Sequence, residues 1–167
     1  LALGLGALAT LAACGRSIGD QCSTNTDCSA NGDRTCDLSQ PAGYCTIEGC
    51  DATSCPSDSI CVRFFPEIYL TQPCDPSCED LATASCTHVD PATNAITKTD
   101  DCTADELCLA EGLCAPRAYE QRLCTKTCGS DGDCRGGYQC RPGNTRGSMP
   151  LLSDPNATAS FCVPNPI

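Results

Sequence analysis

Tryptophan is absent from this 167-residue chain, and there are only three phenylalanines, four tyrosines, one methionine and one histidine. So few large side chains cannot build a core of ordinary size, and 14 glycines with 12 prolines favour turns over long regular elements. The lone histidine, His88, has no companion nucleophile, and no GxSxG motif is present, so the residue types argue against an enzyme. Cys-x-x-Cys is missing too, which argues against zinc knuckles and thioredoxin-type redox chemistry; no metal site and no cofactor are expected. Positive charge is short as well. Ten basic against 21 acidic residues give a net charge of −11, which speaks against nucleic acid as a partner and against electrostatic adhesion to anionic lipid. The acidity reads as a solvated surface.

What the chain has is cysteine, 19 residues of it, a level that implies a disulfide scaffold in an oxidising compartment. Cys22, Cys28, Cys36 and Cys45 are separated by 5, 7 and 8 residues, and a similar four-cysteine frame recurs three times. Cys50, Cys55, Cys61 and Cys74 have spacers of 4, 5 and 12; Cys102, Cys108, Cys114 and Cys124 of 5, 5 and 9; Cys128, Cys134, Cys140 and Cys162 of 5, 5 and 21. The units sit in close pairs, so the expected fold is small and disulfide-rich: two tandem eight-cysteine modules of short hairpins and turns, over residues 22–78 and 102–167. Cys78 and Cys86 remain for a bridge of their own, Cys86 lying in a linker over residues 79–101. The eighteen cysteines from Cys22 onward close as nine bridges, which take the place of a core. Eight cysteines allow 105 pairings; first-to-third and second-to-fourth within each unit is the working expectation.

Between the cysteines the chain is turn chemistry, such as Asn31-Gly32-Asp33 and Pro41-Ala42-Gly43. Residues 62–70 (VRFFPEIYL) stand apart. Phe64, Phe65 and Tyr69 there are a mini-core strand over the bridges or, if exposed, a partner-binding patch, and the burial of Phe64 and Phe65 decides between the two. Tyr44 and Phe161 each precede a cysteine and should cover a bridge. Asp131-Gly132-Asp133 is an acidic turn that lacks the oxygen count of a calcium loop. Residues 141–160 form a long polar loop containing Arg146.

The first thirteen residues, LALGLGALATLAA, carry no charge; they are too short to span a bilayer and match the length of a signal-peptide apolar region. Leu11-Ala12-Ala13-Cys14 follows, and it resembles the lipobox of bacterial lipoproteins. The resemblance implies a signal peptide over 1–13, cleavage after Ala13, lipidation of Cys14, and a short polar tether over 14–21. It also implies attachment to the membrane through acyl chains. Gly15 in place of aspartate favours the outer membrane or cell surface of the bacterial envelope.

The frame of roughly Cys-x5-Cys-x5-Cys, with Asp27 and Asp133 each before a second cysteine, resembles the Dickkopf N-terminal and EB modules. It is more similar still to the cysteine-rich lipoproteins of myxobacteria. That resemblance implies an extracellular, non-enzymatic module for binding, adhesion or structure, with an envelope protein or glycan as partner and no catalytic residue. The alternative is a protease inhibitor presenting a disulfide-bounded loop, with Arg146 as bait for a trypsin-like enzyme.

Overall fold

A computed structural model of the protein describes residues 15–77, 87–89, 92–94, 96–98, 102–154 and 157–166. The apolar segment 1–13, Cys14, Cys78 and Cys86 lie outside the described residues, and with them the lipidation site and the expected Cys78–Cys86 bridge.

Among the described residues the elements are short. They are α1 (Asn25–Cys28), β1 (Thr35–Asp37), β2 (Tyr44–Thr46), β3 (Ser59–Phe64), β4 (Thr87–Val89), β5 (Ile96–Lys98), β6 (Glu106–Cys108), β7 (Cys114–Pro116), β8 (Gln121–Lys126), β9 (Tyr138–Pro142), β10 (Ser148–Leu151) and β11 (Ser160–Pro164). All the sheets are antiparallel. β10–β3–β8 is three-stranded, and the pairs β1–β2, β4–β5, β6–β7 and β9–β11 are two-stranded. An isolated hairpin of this length is marginal in water, so covalent ties must supply what packing does not.

Among the described residues, eight bridges supply them. The first-to-third pairing holds in all four units: Cys22–Cys36, Cys50–Cys61, Cys102–Cys114 and Cys128–Cys140. Second-to-fourth holds in the outer units, as Cys28–Cys45 and Cys134–Cys162. In the middle two it does not. Cys55 of the second unit pairs with Cys124 of the third, and Cys74 of the second pairs with Cys108 of the third.

The backbone explains this departure from the expected pairing. In the outer units the third and fourth cysteines face each other across one hairpin, Cys36 opposite Cys45 and Cys140 opposite Cys162. In the middle of the chain the same relation is met reciprocally. Cys61 lies opposite Cys124 in β3–β8, while Pro73 is bridged to Leu113, with the Cys74 N–H donating to Gly112 and the Cys114 N–H to Gln72. The second and third units have exchanged their fourth-cysteine strands, a domain swap carried out within one chain. Residues 22–78 and 102–167 are therefore cross-linked by two disulfides and share a sheet, and they are not two separate bodies.

The spacers show why. Unit one turns back through Ala42 and Gly43, both at positive φ, and a side chain on Gly43 would meet the Cys22 carbonyl at 2.1 Å. The last spacers of the second and third units, residues 62–73 and 115–123, contain no glycine. Each instead runs through a proline into a 3₁₀ turn, Glu67–Tyr69 after Pro66 and Arg117–Tyr119 after Pro116, which carries the strand away from its own unit. The last spacer, expected as a polar loop, lays down β10 against β3 in the shared sheet.

The packed interior is correspondingly thin and largely sulfur. Ile18, Tyr44 and Tyr138 cluster with Cys50, Cys61, Cys124 and Cys162. A second cluster joins Phe65, Leu107, Leu109 and Ala115, and a third joins Val62, Phe161 and Val163. Ile18 lies in the segment expected as a free tether, yet it is 1% exposed. The Gly19 N–H donates to Cys45 and the Cys45 N–H to Asp20, so the chain is already docked on the first hairpin.

Candidate partner-contact surface

Three carboxylates of the outer units, Asp27, Asp131 and Asp133, serve the fold as backbone caps. The Asp27 side chain takes the N–H groups of Ser23 and Thr24 at 2.7 and 2.9 Å, closing the turn that delivers Cys28. Asp133 takes those of Gly129 and Ser130, each at 2.9 Å, ahead of Cys134. These N–H donors hold both carboxyls below the usual aspartate range. Asp131 accepts from the Cys140 N–H. The acidic turn at 131–133 is a pair of backbone caps. Four groups of three cysteine sulfurs lie within 4.8 Å of one another, but each contains both halves of one disulfide, which offers no thiolate to a metal.

The aromatic residues separate into buried and displayed sets. Tyr44 and Phe161 are buried, at 3% and 0% exposure, but not over the bridges beside them in sequence. Tyr44 packs among Cys50, Cys61, Cys124 and Cys162, and Phe161 packs with Val62 and Val163, on the face opposite its neighbour Cys162. Tyr44 stacks on Tyr138 at 5.6 Å, and the Arg135 guanidinium lies over both rings while donating to the Pro41 and Gly43 carbonyls. Burial pushes the Tyr44 phenol up to about 12, against the opposing hydrogen bond it receives from the Lys126 N–H. Phe65 is buried at 3%, with the Arg63 guanidinium over its ring, and Phe64 is half-buried edge-on against Phe161. Both phenylalanines belong to the interior, so of the expected 62–70 patch Ile68 and Tyr69 are the large apolar side chains displayed.

Tyr69 has company, and one member of it, Tyr119, was not singled out from the sequence. Ile68 is 77% exposed beside it, and Tyr119, itself 48% exposed, stacks on Tyr69 with ring centroids 4.2 Å apart and planes 10° from parallel. The two rings come from the two 3₁₀ turns of the strand exchange. The signal was present as a repeated Pro-x-x-Tyr, at 66–69 and 116–119.

Arg146 lies nearby, in the left-handed region at φ 50°. Its N–H and that of Gly147 donate to the two oxygens of Glu111, at 2.7 and 2.6 Å, and its Nε donates to Glu67 at 2.8 Å. Gly147 is also at positive φ, and a Cβ there would meet the Phe65 carbonyl at 2.3 Å. A bait residue for a protease is presented extended with its side chain free; Arg146 is curled and held on both counts.

A crevice of about 560 Å³ opens on the other side of β8, lined by Asp37, Ser39, Glu48, Glu120, Arg122 and Leu123 among others. Burial would raise the Glu120 carboxyl, but the guanidiniums of Arg63 and Arg122 pair with it and hold it below the usual range. The lining mixes three carboxylates with Arg122, the polar Ser39 and Gln121, and the apolar Leu123. Among the described residues no helix is long and apolar enough to cross a membrane. No family model, curated protein or solved structure matches the chain.

Proposed function

We propose that this protein is a lipid-anchored, disulfide-braced module of the bacterial cell envelope, non-enzymatic, that holds a rigid contact face toward a protein or glycan partner. The observation that carries the reading is the reciprocal strand exchange, which fixes two surface turns and their aromatic side chains by covalent cross-links from both sides. A surface whose backbone is fixed in advance loses little entropy on binding, the property a binding scaffold needs. The lipobox-like Leu11-Ala12-Ala13-Cys14 supports the anchor. With Ile18 docked in the core, only the few residues from Cys14 to Ser17 separate anchor and body, so the module stands directly on the membrane surface.

The test is the intact mass of the native protein from a membrane fraction, together with the fractionation of a Cys14→Ser variant. The reading expects a chain beginning at Cys14 with a diacylglyceryl mass and a variant released from the membrane. A chain beginning elsewhere with an unmodified Cys14, or a variant that stays with the membrane, refutes the anchor.

A further inference from the structure

The four tyrosines fall into two stacked pairs. Tyr44 and Tyr138 are 3% and 5% exposed and sealed beneath Arg135. Tyr69 and Tyr119 are 38% and 48% exposed and lie face to face at 4.2 Å. With no tryptophan in the chain and its one methionine, Met149, half-buried behind Arg63, these two rings are the most accessible electron-rich side chains among the described residues. A one-electron oxidant reaching the surface therefore meets two phenols already in contact.

From this geometry we propose that Tyr69 and Tyr119 form a site of oxidative modification, coupling through their ring carbons into an intramolecular dityrosine that ties the two crossover turns together. The rings are nearly parallel with centroids 4.2 Å apart, and the neighbouring Tyr119 hydroxyl raises the pKa of the Tyr69 phenol, so the hydroxyl-bearing edges lie close together. The carbons ortho to the hydroxyls, where spin density of a tyrosyl radical is high, are thus neighbours. Both rings are exposed, and coupling takes a rotation from the face-to-face stack into an edge-linked biaryl.

The oxidant is a peroxidase-type system that uses hydrogen peroxide. Each phenol gives up one electron and its hydroxyl proton; the two radicals form one carbon–carbon bond between ortho carbons; the hydrogen on each joined carbon then shifts to oxygen and restores the phenols. Two tyrosines and one hydrogen peroxide yield one dityrosine and two waters. The product is a cross-link between the Glu67–Tyr69 and Arg117–Tyr119 turns that thiols cannot reverse. It clasps the strand exchange at its two crossover turns.

The experiment treats the full-length, disulfide-intact protein with a haem peroxidase and limiting hydrogen peroxide. It reads dityrosine fluorescence, the mass after complete reduction and alkylation, and the tryptic peptides. The expected result is a monomer lighter by two hydrogen atoms, with the Tyr69 and Tyr119 peptides joined and a yield that does not fall on dilution. Tyr119→Phe and Tyr69→Phe, which keep the stacked ring, should each abolish the product while leaving the disulfide map unchanged. Dityrosine found only in covalent dimers, or joining Tyr44 or Tyr138, overturns the proposal. So does an equal yield from the reduced, unfolded chain. Oxygen addition at Met149 without joined tyrosine peptides overturns it as well.

Discussion

Glu120 sits between two guanidiniums at the edge of β8, with 11% of its side chain exposed. Its folded pKa lies below the ordinary 4.5, so the stability it lends is present above that value and is lost as the pH falls through the lower folded one. Glu120→Gln should cost about 1–3 kcal/mol at neutral pH, the range for hydrogen bonds to charged groups. It should also flatten the acid limb of a urea-denaturation series; a variant as acid-sensitive as the parent would show that the pairing does not persist. Ile18 is a second informative residue. Ile18→Ala, at a 1%-exposed site, should destabilise by about 2–5 kcal/mol in the same assay, whereas a free tether would give no change. The sequence reading failed at Ile18 because one apolar residue among polar neighbours carries no periodicity; what buries it is the Tyr44 and Cys45 hairpin, a partner distant in sequence.

At the scale of elements, the legible features were the local ones. Turn residues, the first-to-third bridges and the shortness of every strand follow from spacing and from glycine and proline placement, which act over a few residues. The Asp before the second cysteine was visible as an echo between Asp27 and Asp133, and its cause is now plain: each carboxylate closes the turn that aims the cysteine inward. Asp27→Ala or Asp133→Ala should lower the melting temperature and slow correct oxidative refolding, measured by the rate at which the native disulfide map appears. Equal rates for variant and parent would reduce the caps to decoration. The strand exchange was the harder feature, because two arrangements satisfy the same cysteine frame. What separates them is the absence of glycine from the 62–73 and 115–123 spacers, an omission whose meaning shows only beside the spacers of units one and four. The candidate surface was half-legible for the same reason: Tyr69 was singled out, but its partner Tyr119 arrives only through the exchange.

For the whole molecule, partial proteolysis and mapping of the non-reduced protein should recover Cys55–Cys124 and Cys74–Cys108 as peptides joining the two halves. Recovery of Cys55–Cys74 and Cys108–Cys124 in their place would return the protein to two self-contained modules. Removing the long bridge with Cys55→Ser and Cys124→Ser should cost about 4 kcal/mol on the chain-entropy relation, against about 3 for the short Cys50–Cys61 bridge. The exchange also decides how the molecule answers tension. Between Cys22 and Cys162 the shortest covalent route leaves the chain at Cys28 for Cys45, again at Cys55 for Cys124, and again at Cys134 for Cys162. A pull on the two ends can therefore draw the molecule out to about 100 Å, where the unbridged chain would reach about 480 Å. Everything between Cys55 and Cys124 hangs off that load path, including both crossover turns and their stacked tyrosines, so the contact face would stay folded while the rest of the chain is taut.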